Sequence, residues 1–386
     1  MIPARPRRFY SLDVLRGTAA LTVVFWHWQH FFLFGGIPVP PTTQQPLHDV
    51  FYLFYGAGWM AVDLFFSLSG FIFFWLYAEA IAGGRISGRE FFVLRFSRLY
   101  PLHLATLLAV AAGQRVFLHL THGYFIYPRH DAYHFALNLP LASAWGFERG
   151  PSFNAPIWSV SIEALLYILF FLLCRVTRPR LPIALALSAV GYTIVGRHDV
   201  LIGRGVGSFF LGGAMFAIYD WCVSKGLVRA LSVVLPPALV AAWVYVALVP
   251  GRLLRLGAMP WRSEYIEQFW PVPVLLFPLT IFTLVIVETR RGTLGRRLSP
   301  LGDISYSSYL LHFPLQLATA LLVVVAGIDQ RLFLSPAALV AFFAVLVLIS
   351  LASYHWFEAP TQRILRTRLG ARVRAADGRD AAAVTP

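Results

Sequence analysis

Two ionisable residues stand in the first apolar segment, where they could bind an anion and accept a proton. Arg16 and His27 both belong to SLDVLRGTAALTVVFWHWQHFF, residues 11–32. Eleven helical residues make three turns and about 20°, so both side chains lie on one face, roughly 16 Å apart along the axis. Intramembrane charge costs at least about 2.5 kcal/mol and usually marks function. The alternative is that Arg16 snorkels to the inner surface and His27 is a structural helix contact.

A second cationic group begins another apolar segment. Arg95 and Arg98 stand three residues apart, immediately before LYPLH. Guanidinium groups bind phosphate through paired hydrogen bonds, and Arg16 is expected at a similar depth, so the three arginines could meet one polyphosphate. The alternative is ordinary topology-determining charge that attracts anionic lipid.

Two carboxylates are expected at a depth comparable with that of His27. Asp63 lies in AVDLFFSLSGF and Glu163 in NAPIWSVSIEALLY, on different helices. A carboxylate beside His27 would fix its tautomer and stabilise its protonated form, as a general base requires. The two residues could instead form a structural polar network, because the sequence alone does not show which helices are neighbours.

Several common catalytic signatures are missing from the sequence. There is no G-x-S-x-G elbow, no HExxH, no Walker loop and no CxxC pair. Cys174 and Cys222 are the only cysteines, and both fall at the ends of apolar segments. The sequence therefore favours neither a serine hydrolase nor a metalloenzyme, and we expect no metal site.

The composition indicates how these residues are positioned. The chain has 386 residues, of which 58% are hydrophobic and 13% charged, as in an all-α polytopic membrane protein. Lys and Arg concentrate in segments assigned to the cytoplasmic side, so the positive-inside rule explains the net charge of +14 better than a nucleic-acid partner does. Both termini are then cytoplasmic. We predict about ten membrane helices, near residues 14–34, 59–81, 99–120, 156–174, 181–196, 204–221, 230–250, 270–288, 303–327 and 334–357.

The segments between the predicted helices differ in composition. Two outer loops, residues 35–58 and 121–155, are rich in Pro, His and aromatic residues and are expected to pack as a lid. GREFFVLRFSR, residues 88–98, is expected to lie in the membrane interface. We predict a membrane domain over residues 1–362 and a basic, disordered cytoplasmic tail over 363–386.

The order of these motifs resembles that of the membrane-bound acyltransferase family 3, integral-membrane O-acyltransferases of the bacterial inner membrane. SLDVLRG followed by FWHW matches the family's spacing of arginine and histidine, RFSRLYP its arginine pair, and FFSLSGF its second-helix signature. WSVSIE, from Trp158 to Glu163, matches the fourth-helix motif, and ISYSSYLLHFPL and FEAP resemble the closing motifs. Many members read Glu-Glu-Gln where this chain has Glu163-Ala164-Leu165, which leaves Glu163 in place but puts any role for the following position in doubt.

The resemblance implies transfer of an acyl group, commonly acetyl, from cytoplasmic acyl-coenzyme A to a hydroxyl of a carbohydrate or small metabolite. Our hypothesis for this chain is that Arg16, Arg95 and Arg98 hold the coenzyme A phosphates, while His27 deprotonates the acceptor and Asp63 or Glu163 orients His27. A variant makes His27 the nucleophile of an acyl-imidazole. We expect the arginines and His27 to border one continuous tunnel. Candidates for the oxyanion or acceptor site are Ser69, Trp158, Tyr309 and His312.

Two other classes of function also fit buried ionisable residues. A proton-coupled exporter of glycans or metabolites would use His and carboxylates as a proton relay, although no paired halves with matching broken helices are apparent. A non-catalytic scaffold or sensor would leave the intramembrane charge unexplained. The acceptor and the oligomeric state are not readable from the sequence.

Overall fold

A computed structural model describes Pro6 and residues 8–34, 40–195, 200–248 and 271–369. These ranges hold helices and no β-strand apart from an isolated bridge between Arg129 and Ser152. The principal helices, numbered here in chain order, are α1 (Tyr10–His27), α2 (His48–Ala57), α3 (Ala61–Phe73), α4 (Gly88–Thr121), α5 (Ala132–Asn138), α6 (Trp158–Val176), α7 (Leu181–Val195), α8 (Val200–Ser224), α9 (Val228–Leu248), α10 (Phe277–Arg291), α11 (Ser305–Ala326), α12 (Pro336–Ser353) and α13 (Ala359–Arg368).

The fold is the predicted helical polytopic bundle. In the described ranges, 8 helical segments are long and apolar enough to cross a membrane. The prediction of about ten also included α1 and α7, which lie outside that group. Two charged residues, Asp13 and Arg16, interrupt the 18 residues of α1, and α7 is a shorter apolar helix.

A buried carboxylate holds the start of α1. The Glu288 side chain, fully buried on α10, accepts hydrogen bonds from the backbone N–H groups of Tyr10 and Ser11, both at 2.9 Å, and from the Ser11 hydroxyl at 2.6 Å. The first turn of a helix has unpaired N–H groups and positive potential, so a carboxylate there stabilises it. This contact fixes α1, and with it Arg16 and His27, against α10.

Glycines allow α3 and α8 to approach closely. A Cβ atom on Gly70 would lie 1.8 Å from the Phe209 carbonyl oxygen, and one on Gly212 would lie 1.9 Å from the Ser67 carbonyl oxygen. No larger residue fits at either position without moving the backbone. Membrane helices commonly use small residues in this way, because close packing replaces the hydrophobic driving force.

Two predicted segments lie at the side of the bundle where Arg95 and Arg98 lie. Residues 88–98 are the first part of the continuous α4, which starts with a capping box of Ser87 and Glu90, and their place in the membrane interface stays a prediction. The predicted disordered tail begins too early, because α13 stays helical through Arg368 and its Gln362 is buried against the bundle. Residues 370–386 lie outside the described ranges.

The described parts of the outer loops pack onto the ends of the helices. Gln114 exchanges two hydrogen bonds, both of 2.9 Å, with the backbone of Phe125, and Asn154 donates one of 3.1 Å to the Leu310 carbonyl. Asp131 caps α5, and hydrogen bonds from the His134 backbone and imidazole lower the pKa of the Asp131 carboxyl. The lid expected from loop composition therefore covers α4 and α11.

Candidate active site

A cavity of about 160 Å³ lies among α1, α3, α4, α6 and α11. Six of the ten residues selected from the sequence line it: Arg16, Ser69, Arg95, Arg98, Glu163 and Tyr309. The rest of the wall is mostly aromatic and aliphatic. The described lining contains four guanidinium groups, which include that of Arg8, and two carboxylates, Asp13 and Glu163. The cavity therefore suits an anionic ligand with an apolar part.

Arg16 is held rigidly at the wall of this cavity. Its Nε donates to the Ser305 hydroxyl at 3.0 Å, and its Nη2 donates to the Gly302 carbonyl at 3.0 Å and to Asp13 at 3.2 Å. Asp13 also accepts a 2.6 Å hydrogen bond from Arg8. Arg8 bonds to a second carboxylate as well, that of Asp303 at 3.1 Å, so Asp13 and Asp303 balance the charges of Arg8 and Arg16.

Arg95 is enclosed by aromatic rings. Its guanidinium carbon lies 5.1 Å from the ring centre of Phe73, 4.9 Å from that of Tyr77 and 5.7 Å from that of Tyr167. Its Nη2 donates a 2.5 Å hydrogen bond to the Tyr77 hydroxyl, but its buried Nε has no hydrogen-bond partner. Cation–π contacts hold a guanidinium in place while leaving its N–H groups available to a ligand.

Arg98 is the least engaged of the predicted arginines. Its guanidinium lies 5.7 Å from the ring centre of Tyr306, and it makes no hydrogen bond or ion pair with any described residue. Glu358 attracts it from farther away, while Arg16 and Arg95 repel it. A cation in this environment is stabilised by a bound anion.

The end of the cavity that Tyr309 closes is called here its outer end. His27 lies beyond this end, and the described residues lining the cavity do not include it. Its imidazole stacks on that of His312 with ring centres 4.9 Å apart, and the His312 ring lies 5.8 Å from the Tyr309 ring. The expectation of one open tunnel is therefore wrong for this structure, because Tyr309 and His312 fill the space between. Arg16 and His27 do share a face, since both contact α11, at Ser305 and His312.

His312 has a defined hydrogen-bonding state. Its Nδ1 lies 2.5 Å from the Tyr309 carbonyl oxygen, which can only accept, so Nδ1 carries the proton. In the neutral ring Nε2 then has a free lone pair, and this atom is buried without a partner. Nδ1 of His27 is likewise buried without a partner. Two adjacent unpaired imidazole nitrogens are unusual in a folded interior and are typical of a functional site.

His30 and Gln316, which were not among the residues selected from the sequence, complete this group. His30 lies 4.8 Å from His27, ring centre to ring centre, and its Nδ1 donates to the Gln316 side-chain oxygen at 3.0 Å. The Gln316 amide nitrogen donates to the His27 backbone carbonyl at 2.8 Å, which fixes the end of α1. His30 stands three residues after His27, and Gln316 four after His312; this helical spacing was the available signal.

Asp63 and Trp158 belong to a different cluster. The Asp63 carboxylate accepts from Arg204 at 2.6 and 3.1 Å and from Ser208 at 3.3 Å, and it makes no contact with His27. The Arg204 guanidinium lies between Trp59 and Trp158, 5.1 and 5.2 Å from their ring centres. The prediction that Asp63 orients His27 is therefore wrong, and Trp158 covers an ion pair outside the cavity lining. Arg204 was not among the residues selected from the sequence.

Glu163 also lies away from His27. Its carboxylate accepts a 2.9 Å hydrogen bond from the Ser69 hydroxyl, inside the cavity. Ser159 and Tyr309 share a 2.7 Å hydrogen bond, and the Tyr309 hydroxyl donates to the Pro156 carbonyl at 2.6 Å. Glu163 therefore faces the ligand space, and the pair Ser159–Tyr309 closes its outer end.

Comparison with known proteins shows which family and which relatives the chain is similar to. The chain matches the profile of the family described as Acyltransferase domain (acyltransferase 3) over residues 9–355. It is 37% identical over 112 residues to "Protein 2 in picA locus" of Rhizobium radiobacter, which covers 29% of this chain and 49% of that protein. It is 32% identical over 182 residues to "Acyltransferase MdmB" of Streptomyces mycarofaciens, which covers 46% of this chain and 42% of that protein.

The matches to these two curated relatives thus extend over less than half of their length. No solved structure matches the chain significantly. The family profile, by contrast, extends from Phe9 to His355 and so includes Arg16, His27, the arginine pair, Glu163 and His312. With this coverage, the chain belongs to the acyltransferase 3 family of membrane proteins.

Proposed function

We propose that the protein is an O-acyltransferase that moves an acyl group, acetyl in the simplest case, from cytoplasmic acyl-coenzyme A to a hydroxyl of a carbohydrate or small metabolite. The observation that carries this proposal is the cavity in which Arg16, Arg95 and Arg98 meet. Their unengaged N–H groups suit phosphates, and the apolar walls suit a slender pantetheine arm. We assign the protein to the cytoplasmic membrane of a bacterium.

The proposed reaction is a direct acyl transfer. The acceptor oxygen forms a bond to the thioester carbonyl carbon, the C–S bond breaks, and the hydroxyl proton passes to His27 and then to the coenzyme A thiolate. The free Nε2 of His312 accepts a hydrogen bond from a second hydroxyl or an N–H group of the acceptor, which positions the reacting hydroxyl beside His27. No described carboxylate forms an ion pair with His27, so no permanent counter-charge holds the proton there once the thiolate has formed.

The thioester of a donor bound at the arginines can reach His27 only if the outer end of the cavity opens. Tyr309 stands between the arginines and the histidines, with its hydroxyl bonded to Ser159 and Pro156. Rotation of Tyr309 away from the Pro156 carbonyl would connect the two regions and free its O–H group. That group is then one candidate to stabilise the oxyanion of the transition state, beside Ser69.

The test is coenzyme A release by the purified protein with acetyl-coenzyme A and a panel of sugar acceptors. We expect acceptor-dependent release that is lost in His27→Ala and Arg16→Ala variants with unchanged thermal unfolding. Labelled protein after incubation with labelled acetyl-coenzyme A alone would favour the acyl-imidazole variant. Transport of a glycan across proteoliposomes without coenzyme A release would contradict transfer and favour an exporter.

A further inference from the structure

An arginine on the last described helix reaches the cationic end of the cavity. Arg366 on α13 donates from Nε to the Ser97 hydroxyl of α4 at 3.3 Å. Gln362, one turn earlier on the same face, is buried, whereas Arg363 is exposed and bonds to its own helix at the Ala359 carbonyl. Arg366 therefore faces α4 and lies close enough to Arg95 for the two charges to repel one another, whereas Arg363 points away from α4.

Arg366 and Arg95 form a partly buried pair of like charges. The two repel one another electrostatically, and both lie close to Tyr77, whose hydroxyl accepts a hydrogen bond from Arg95. Each has one buried N–H group without a hydrogen-bond partner, Nη2 of Arg366 and Nε of Arg95. Neither makes an ion pair with a described carboxylate.

Such an arrangement is unfavourable without a ligand. Buried polar groups are almost always hydrogen-bonded, and an uncompensated buried charge destabilises a protein by several kcal/mol. A phosphate would supply both the opposite charge and the acceptors that the two orphan N–H groups lack. The Arg366–Ser97 bond is long and weak, so this guanidinium can turn toward an incoming anion.

We propose that Arg366 and Arg95 together bind the 3′-phosphate of the acyl-coenzyme A donor, an inference that rests on the proposed function. Arg95 lines the cavity, whereas Arg366 lies next to Arg95 but outside the lining, on a helix that bonds to α4 at Ser97. The end of the donor farthest from the thioester is the phosphorylated ribose, which therefore reaches Arg366. Arg366 lies after residue 355, where the match to the family profile ends.

The experiment measures coenzyme A binding by calorimetry, with the protein in phosphatidylcholine nanodiscs. For Arg366→Gln we expect about a tenfold loss of affinity for coenzyme A and no change for 3′-dephospho-coenzyme A. The control Arg363→Gln, on the exposed side of α13, is expected to bind both ligands like the wild type. Arg366→Met gives the same comparison if the Gln variant does not fold.

The remaining outcomes separate the possible failures. Equal losses for both ligands would overturn the assignment to the 3′-phosphate. Unchanged coenzyme A affinity in phosphatidylcholine, with a loss only of binding to anionic phosphatidylglycerol discs, would show that the site holds a lipid headgroup and overturn the inference. A wild-type protein that binds no coenzyme A would contradict the proposed function itself.

Discussion

Around the cavity, charge is fixed by aromatic rings and a few carboxylates, whereas the described ionisable groups around His27 are held by amides, carbonyls, the Tyr127 hydroxyl and one another. Arg95 lies among Phe73, Tyr77 and Tyr167, and Arg16 shares Asp13 with Arg8. His30 and His312, by contrast, bond to Gln316 and to the Tyr309 carbonyl.

This difference in partners gives the two regions different chemistry. A cluster of permanent cations with few counter-charges attracts an anion and holds it. Imidazoles fixed by neutral partners stay uncharged and keep a lone pair for a proton, which they release easily. The inner region is thus suited to binding and the outer one to proton transfer, and the Tyr309 side chain separates them.

The largest effect should come from the outer region. We expect His27→Ala to lower kcat about a thousandfold, the range for a lost general base, while coenzyme A affinity stays within about twofold. Steady-state transfer rates and calorimetry on the same preparation provide the two values. His119→Ala, an exposed histidine on α4, is the matched control. A His27 variant that lost coenzyme A affinity instead would contradict the assignment of binding to the inner region and proton transfer to the outer one.

A smaller effect, on KM instead of kcat, is expected from the arginines of the inner region. Arg98→Gln removes a cation that makes no hydrogen bond to a described residue and is therefore available to a phosphate. Its loss should raise KM for acyl-coenzyme A with little change in kcat. A charged hydrogen bond contributes about 1.5–3 kcal/mol, which corresponds to roughly 10- to 100-fold in KM. The exposed Arg89→Gln variant controls for general charge loss. A fall in kcat with constant KM would argue that Arg98 acts in the chemical step.

The smallest effect on activity is expected at the Asp63–Arg204 pair, which belongs to neither region. Asp63→Asn leaves a buried guanidinium without its counter-charge and should destabilise the protein by about 3 kcal/mol, seen as a lower midpoint of thermal unfolding. Activity per folded molecule should stay within about twofold. The double variant Asp63→Leu with Arg204→Met should recover most of the stability. A large loss of kcat in folded Asp63→Asn would restore a catalytic role for this carboxylate.

The sequence predicted what depends on local pattern. Helical periodicity and hydropathy located the bundle, and the spacing of Arg16 and His27 placed both on the face that contacts α11. Six predicted residues share one cavity because they lie at matched depths on helices that pack together. The arginine cluster was thus foreseen from charge at the starts of spans.

Pairing between distant helices could not be foreseen. Asp63 could equally have faced His27 or Arg204, since only the packing of α3 against α8, allowed by Gly70 and Gly212, decides it. The same holds for Gln316, which meets His30 only because α1 and α11 are neighbours. Side-chain packing also closes the expected tunnel at Tyr309, a feature that no sequence pattern reveals.

The most direct test is an experimental structure with a non-reactive thioether analogue of acetyl-coenzyme A bound. We predict phosphates within about 3.5 Å of the Arg16, Arg95 and Arg98 guanidinium groups, and the acetyl group past a rotated Tyr309, beside His27 and His312. An analogue whose acetyl group stays on the arginine side of an unmoved Tyr309, or leaves the bundle toward lipid, would contradict the division between binding and proton transfer.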